Sequence, residues 1–242
     1  MREEYTRENY PTFGKKYAGE KAIISLTSWK ARIDTVSKTL YSLLKQCPGF
    51  HIVLVLSEEE FPKMMDEIPS NLKLFVKNDL IEVLWVYKNY KAFKKVLFTM
   101  DKYRDVPVIS ADDDCIYTCN YAEMLYKKWK ENENSRVGLE SVSRFGLKLL
   151  CGYSTLFPPN AFSGFNKEIL NEFLKYKLTE DDMLYALLCK KYNIKNIPLG
   201  FHVQKRSNTI ACIFHNQIEP LSNERHYDKR SDYYTMKKLL KL

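Results

Sequence analysis

The sequence predicts an α/β fold with a mostly parallel, mixed central sheet flanked by helices. Three observations predict it. From Ala22 onward, short apolar runs rich in Val, Ile and Leu alternate with segments whose apolar residues recur every three or four positions. One such run, Val106 to Ile109, leads into three consecutive carboxylates, Asp112, Asp113 and Asp114. Open α/β sheets bind ligands at such strand ends. No stretch rich in Gly, Ser or Pro divides the chain.

In order, residues 1–20 are polar, lack periodicity and read as a loose N-terminal arm. Ala22 to Thr27 reads as a strand, followed by the polar loop Ser28-Trp29-Lys30-Ala31-Arg32. Ile33, Val36, Leu40, Leu43 and Leu44 share a helical face, and Pro48-Gly49 stops that helix. His51 to Leu56 is a second strand, and Ser57 before three glutamates reads as a helix start. Leu72 to Phe75 and Ile81 to Val86 read as strands, and Tyr90 to Tyr103 as a helix carrying Lys94 and Lys95. Helices follow over Tyr121 to Lys130, Asn166 to Tyr176 and Thr179 to Tyr192. Strands are expected over Val137 to Val142, Leu149 to Phe157, Asn196 to Leu199 and Ala211 to Phe214. The main unit then covers 21–228, and 229–242 is a basic, weakly amphipathic tail.

The 242 residues and 45% hydrophobic content supply a sizeable core. The net charge of +8 admits nucleic acid, anionic membrane or phosphorylated ligands as partners. The lysines are scattered, as on a solvated surface. The six cysteines show no CxxC pair and no zinc-like spacing, as in a reduced protein. The first ten residues do not read as a secretory signal, and no apolar run reaches the ~20 residues that span a bilayer. The expected location is therefore cytoplasmic.

The acidic triad carries the chemistry. Along an extended chain Asp112 and Asp114 fall on one side and Asp113 on the other. Two neighbouring carboxylates suit a hard cation, Mg²⁺ or Mn²⁺, that bridges to a substrate phosphate. The alternative is a solvated acidic turn. A second acidic site is Thr179-Glu180-Asp181-Asp182. With Thr179 as N-cap, Asp182 completes a capping box, which leaves Asp181 free for chemistry in the first helical turn. Lys94 and Lys95 either steady a diphosphate or are solvated helix residues. Trp29 either covers a nucleotide base or packs.

Five blocks in order resemble bacterial glycosyltransferases of the GT-A fold that build surface polysaccharides and lipooligosaccharides. They are Ile24 to Ile33, Lys94-Lys95, Ser110 to Tyr117, Gly152 to Pro159 and Thr179 to Asp182. The resemblance covers roughly Lys21 to Leu199. It implies a single GT-A-like domain, a nucleotide-diphosphate sugar donor (a UDP-sugar favoured), a divalent metal, and a glycan or lipid-linked acceptor. By position, Thr27, Trp29, Arg32, Lys95, Asp112 and Asp113 would meet the donor. Asp114 would be the main metal ligand with Asp112 beside it. His215 is the candidate third ligand, with His202 and His226 behind it. Asp181 would be the base of an inverting transfer, with Glu180 behind it.

Two other readings compete. A nucleotidyltransferase also uses metal carboxylates on an α/β sheet, but the loop after Leu26 lacks the glycines of a phosphate loop. A nucleic-acid binder explains the charge but neither acidic cluster. The basic tail, with Lys229, Arg230, Lys237, Lys238 and Lys241 beside Tyr233, Tyr234, Leu239 and Leu240, is expected to attach to an anionic membrane on its inner face or to stay solvated.

Overall fold

The computed structural model describes residues 9–46, 49–139, 141–200 and 228–242, with the backbone of 212–214. In chain order the elements are β1 (Thr12–Gly14), β2 (Ala22–Thr27), α1 (Val36–Leu44), β3 (Phe50–Ser57), α2 (Ser70–Lys77) and β4 (Glu82–Val86). Then come α3 (Lys94–Lys102), β5 (Val108–Ser110), β6 (Cys115–Tyr117), α4 (Tyr121–Lys130), β7 (Ser135–Gly138), β8 (Ser141–Arg144) and β9 (Leu147–Leu150). The last are β10 (Thr155–Phe157), α5 (Ile169–Lys175), α6 (Asp181–Lys191), β11 (Lys195–Pro198), β12 (Cys212–Phe214) and α7 (Lys229–Leu239).

Eight strands form the central sheet in the order β1-β4-β3-β2-β5-β10-β7-β11. Strands β2, β3, β4 and β5 pair in parallel, while β1 and β10 run antiparallel to their neighbours. The sheet is therefore mixed around a parallel centre, as expected. Its middle strands are buried on both faces, which is why they read as continuous apolar runs without alternation. Helices α1, α2 and α4 bury their apolar stripes on one face, and α3, α5, α6 and α7 on the other. His51, at the start of β3, is buried and packs its Nε2 2.6 Å from Glu82 Oε2.

Several expectations are corrected. The N-terminal arm is not all loose: Thr12–Gly14 pairs with β4, and buried Tyr10 donates from its hydroxyl to Asp101 at 3.0 Å. Leu72 to Phe75 is helix, not strand. Leu72 and Val76, four apart, face the core while Leu74 is exposed, a helical rather than alternating burial. No α-helix starts at Ser57; only a 3₁₀ turn, Met64–Asp66, follows Pro62. The strand expected over Val137 to Val142 is two strands in different sheets. Residues 229–239 form a docked helix, not a loose tail. Tyr233, Met236 and Leu240 are buried against α5 and α6. A fully buried side chain of this size stabilises by roughly 1.5–3 kcal/mol, enough to hold the helix down.

Candidate active site

The carboxyl ends of β2 and β5, the first turn of α3 and the start of α6 converge on one place. Parallel pairing of β2 with β5 sets Ser25 opposite Ser110, so the loop after Thr27 and the Asp triad leave the sheet side by side. Ser25 holds α3 from below, its hydroxyl donating to the Lys95 carbonyl and lying 2.7 Å from Thr99 Oγ1.

The triad is split by job. Asp113 turns inward and is 3% exposed. It accepts from Ser28 Oγ at 2.6 Å and from Arg32 Nη2 at 2.7 Å. Burial pushes its carboxyl up to about 6 despite the guanidinium beside it. Its place is thus beneath the first loop, which it fastens. Arg32 reaches on to Asp114, with Nη1 2.9 Å from Oδ2. Thr27 donates to the Val55 carbonyl at 2.7 Å, and the half-buried Trp29 has an indole N–H with no partner. Asp112 is the open member, with its side chain 38% exposed. Its backbone N–H donates to Tyr117 Oη at 2.8 Å, and that hydroxyl donates to the Tyr153 carbonyl.

Lys95 joins the two acidic sites. Its Nζ lies 2.6 Å from Asp112 Oδ1 and 2.8 Å from Asp181 Oδ2. Burial works against its charge, but the two carboxylates outweigh it and hold the ammonium well above its ordinary range. Lys94, also buried, instead pairs with Glu60 at 3.2 Å and Asn89 at 2.9 Å. It ties α3 to the loops after β3 and β4. Neither lysine is a solvated helix residue.

The capping box expected at Thr179 is absent. The helix begins at Asp181, Glu180 is its N-cap with no side-chain cap bond, and Thr179 Oγ1 is buried without a partner among the described residues. Asp182 therefore has no capping duty. Its Oδ1 is buried and has no partner among the described residues, and burial with Asp181 beside it pushes the carboxyl up to about 7. Glu180 pairs with Lys229 at 3.3 Å, which pins the start of α7 beside this cluster.

Gly152 opens one of the five blocks that carry the resemblance. The structure backs it against the acidic cluster. A Cβ there would lie 2.6 Å from Asp182 Oδ1, 3.1 Å from Asp181 Oδ2 and 3.2 Å from Lys95 Nζ. Arg136 was missed entirely. It is fully buried on β7, its guanidinium stacks 4.7 Å from the Phe157 ring, and its charge acts on Asp182. No local pattern marked it: the polar run before Val137 hides an arginine that the sheet buries. His215, His202 and His226 lie outside the described residues.

No family model matches the chain, and no curated protein matches it in sequence. Solved structures do match. Residues 1–349 of S. aureus TarS, in complex with UDP-GlcNAc, align over 91% of this chain and 65% of that one, with a TM-score of 0.54 at 11% identity. A longer S. aureus TarS structure aligns over 91% and 39%, with a TM-score of 0.53 at 11% identity. The glycosyltransferase GlyE of Streptococcus pneumoniae TIGR4 aligns over 76% and 46% at 15% identity, but its TM-score of 0.43 carries no argument. At such identities the match to TarS shows a shared fold, the GT-A-like arrangement that the sequence suggested. The chain spans less than two thirds of the TarS structures it matches.

Proposed function

We propose that the protein is a glycosyltransferase that moves a sugar from a nucleotide-diphosphate sugar, a UDP-sugar first among them, to a hydroxyl of a glycan or lipid-linked acceptor. The observation that carries this reading is the Lys95 bridge. It brings Asp112, which would face the donor, and Asp181, which would face the acceptor, around one ammonium at the end of the sheet where such folds bind ligands. The fold shared with TarS, solved with UDP-GlcNAc, supports it.

Sugar transfer needs the leaving diphosphate neutralised, the acceptor hydroxyl deprotonated and both held in line. Thr27, Trp29 and Arg32 form the loop that would meet the nucleotide, with Asp113 fixing that loop from beneath. Lys95 offers a buried positive charge beside the diphosphate. Asp181, in the first turn of α6 and paired with Lys95, would accept the acceptor proton in an inverting displacement. Glu180, engaged by Lys229, stands behind it.

A divalent cation, Mn²⁺ or Mg²⁺, suits the donor set, because Asp112 and Asp114 offer hard carboxylate oxygens and Asp112 is open to solvent. Among the described residues no group of three or more His, Cys, Asp or Glu could hold a metal alone, so donor phosphate oxygens would have to complete the shell. When bound, the ion would neutralise charge on the leaving diphosphate. A cytoplasmic location, peripheral on the inner face of the membrane, belongs to the same proposal. Among the described residues no helix is long and apolar enough to cross a membrane.

The test is a screen of nucleotide sugars for hydrolysis and transfer by mass spectrometry, with and without Mn²⁺. Thermal shifts with UDP are run beside it. Asp112→Ala and Asp114→Ala should each abolish the Mn²⁺-dependent shift while the fold survives. Equal shifts in parent and variants would remove the metal from the proposal. No turnover of any nucleotide sugar would remove the activity.

A further inference from the structure

The hairpin β8–β9 and helix α7 meet on one face of the molecule. The Phe145 ring at the hairpin tip stacks on Tyr233 of α7, with centroids 5.0 Å apart and planes 18° from parallel. Tyr233 in turn packs edge-on against Tyr234. Around this aromatic row the surface is apolar at Val142, Phe145 and Tyr234, which are 44%, 37% and 55% exposed. Four exposed cations adjoin it: Arg144 next to Phe145 on the hairpin, and Arg230, Lys238 and Lys241 at helical spacing from Tyr234 on α7. Among the described residues, none of these four makes an ion pair with a carboxylate. Asp228 and Asp232 are the described acidic residues on α7 and its cap. Asp228 is turned to the backbone N–H groups of Arg230 and Ser231.

We propose that this face docks the protein on an anionic lipid bilayer. An apolar tip ringed by cations is the chemistry of an interfacial membrane contact: the rings enter the headgroup region and the cations meet lipid phosphates. The apolar residues named from the sequence for this purpose, Tyr233 and Leu240, are instead spent on packing α7, and the hairpin supplies replacements. A soluble polyanion would use the cations and leave Val142 and Phe145 without a role.

The placement also names the acceptor, and this part rests on the glycosyltransferase reading. Both elements of the face are anchored at the acidic cluster. β9 leads through Cys151 into Gly152, and α7 is pinned by Lys229 to Glu180. A four-residue strand spans roughly 13 Å and an eleven-residue helix roughly 16 Å. A bilayer against this face therefore lies within reach of Asp181 for a lipid-linked acceptor.

Vesicle co-sedimentation tests the docking without any turnover, so its failure is distinct from failure of the enzymatic reading. The parent should bind phosphatidylglycerol-containing vesicles and not pure phosphatidylcholine. Lys238→Glu with Lys241→Glu should weaken binding by more than about tenfold. Val142→Asp, at an exposed position of β8, should weaken it several-fold with a melting temperature within a few degrees of parent. Parent protein that ignores phosphatidylglycerol vesicles overturns the proposal. Val142→Asp binding equal to parent, or tighter parental binding to duplex DNA than to vesicles, makes the face a polyanion surface and overturns it as well.

Discussion

Asp112 and Asp181 share one cation: both carboxylates lie within 2.8 Å of Lys95 Nζ, which is almost wholly buried. Removing it leaves two carboxylates facing each other in a partly dehydrated pocket. Breaking a buried pair costs about 3–5 kcal/mol, and the open side of Asp112 lowers that to roughly 2 kcal/mol. Lys95→Met should therefore lose about 2 kcal/mol at pH 7.5 by urea denaturation, with loss of any turnover. The deficit should shrink toward pH 4 as the carboxylates take up protons. A deficit that stays constant with pH would show that lost packing, not charge, is the cause.

Gly152 is set by contact rather than by backbone conformation. A Cβ would meet Asp182 Oδ1 at 2.6 Å, closer than atoms can approach, with Asp181 and Lys95 just behind. Gly152→Ala must push the carboxylates aside. Displacements of about 1 Å near reacting groups cost on the order of 10²-fold in rate. Turnover should fall by that much while circular dichroism keeps the parental helix and strand content. Parental turnover in Gly152→Ala would mean that the cluster is not catalytic.

The parallel half of the fold was legible because buried parallel strands leave unbroken apolar runs, as in Ala22–Thr27 and Phe50–Ser57. Leu72 to Phe75 misled because four apolar-rich residues suit strand and helix alike, and only the depth of Leu72 and Val76 decides. The Asp triad was legible by position, but its alternation was not: Asp113 and Asp114 lie in a turn and share Arg32, while Asp112 goes to Lys95. The Lys95 bridge was not, since no local pattern pairs a lysine on α3 with a carboxylate on α6. The capping box at Thr179 fitted the sequence, but a buried acidic cluster took Asp182 inward instead.

Arg32 spans Asp113 and Asp114 with two hydrogen-bonded nitrogens, so it is both a strut for the first loop and a counter-charge. Arg32→Ala leaves buried Asp113 with only Ser28 as a partner. Burial already holds that carboxyl at about 6, and losing the guanidinium moves it further up. The variant should melt several degrees below parent at pH 8 and recover most of the difference at pH 5, where Asp113 is neutral. UDP should no longer raise its melting temperature. Arg32→Lys, which cannot bridge both carboxylates with the same fork, should behave closer to Ala than to parent.

The two carboxylates at the start of α6 divide by environment, and pH separates them. Burial, with Asp181 beside it, lifts the Asp182 carboxyl from an ordinary 3.8 to about 7. A folded value above the unfolded one means that the folded state binds the proton more tightly. The stability it contributes is fully present below about pH 4 and is lost as pH rises through about 7. At about 1.4 kcal/mol per pKa unit, a rise of about three units makes the loss of the order of 4 kcal/mol. Asp182→Asn should therefore be more stable than parent at pH 7.5 and equal to it at pH 4. Asp181 instead pairs with Lys95: Asp181→Asn should lose that contact and about 10²–10⁴ in turnover. Melting temperature and turnover of both variants from pH 4 to pH 8 decide the matter. If Asp182→Asn loses turnover and Asp181→Asn keeps it, the proton acceptor is Asp182, and Lys95 serves the donor alone.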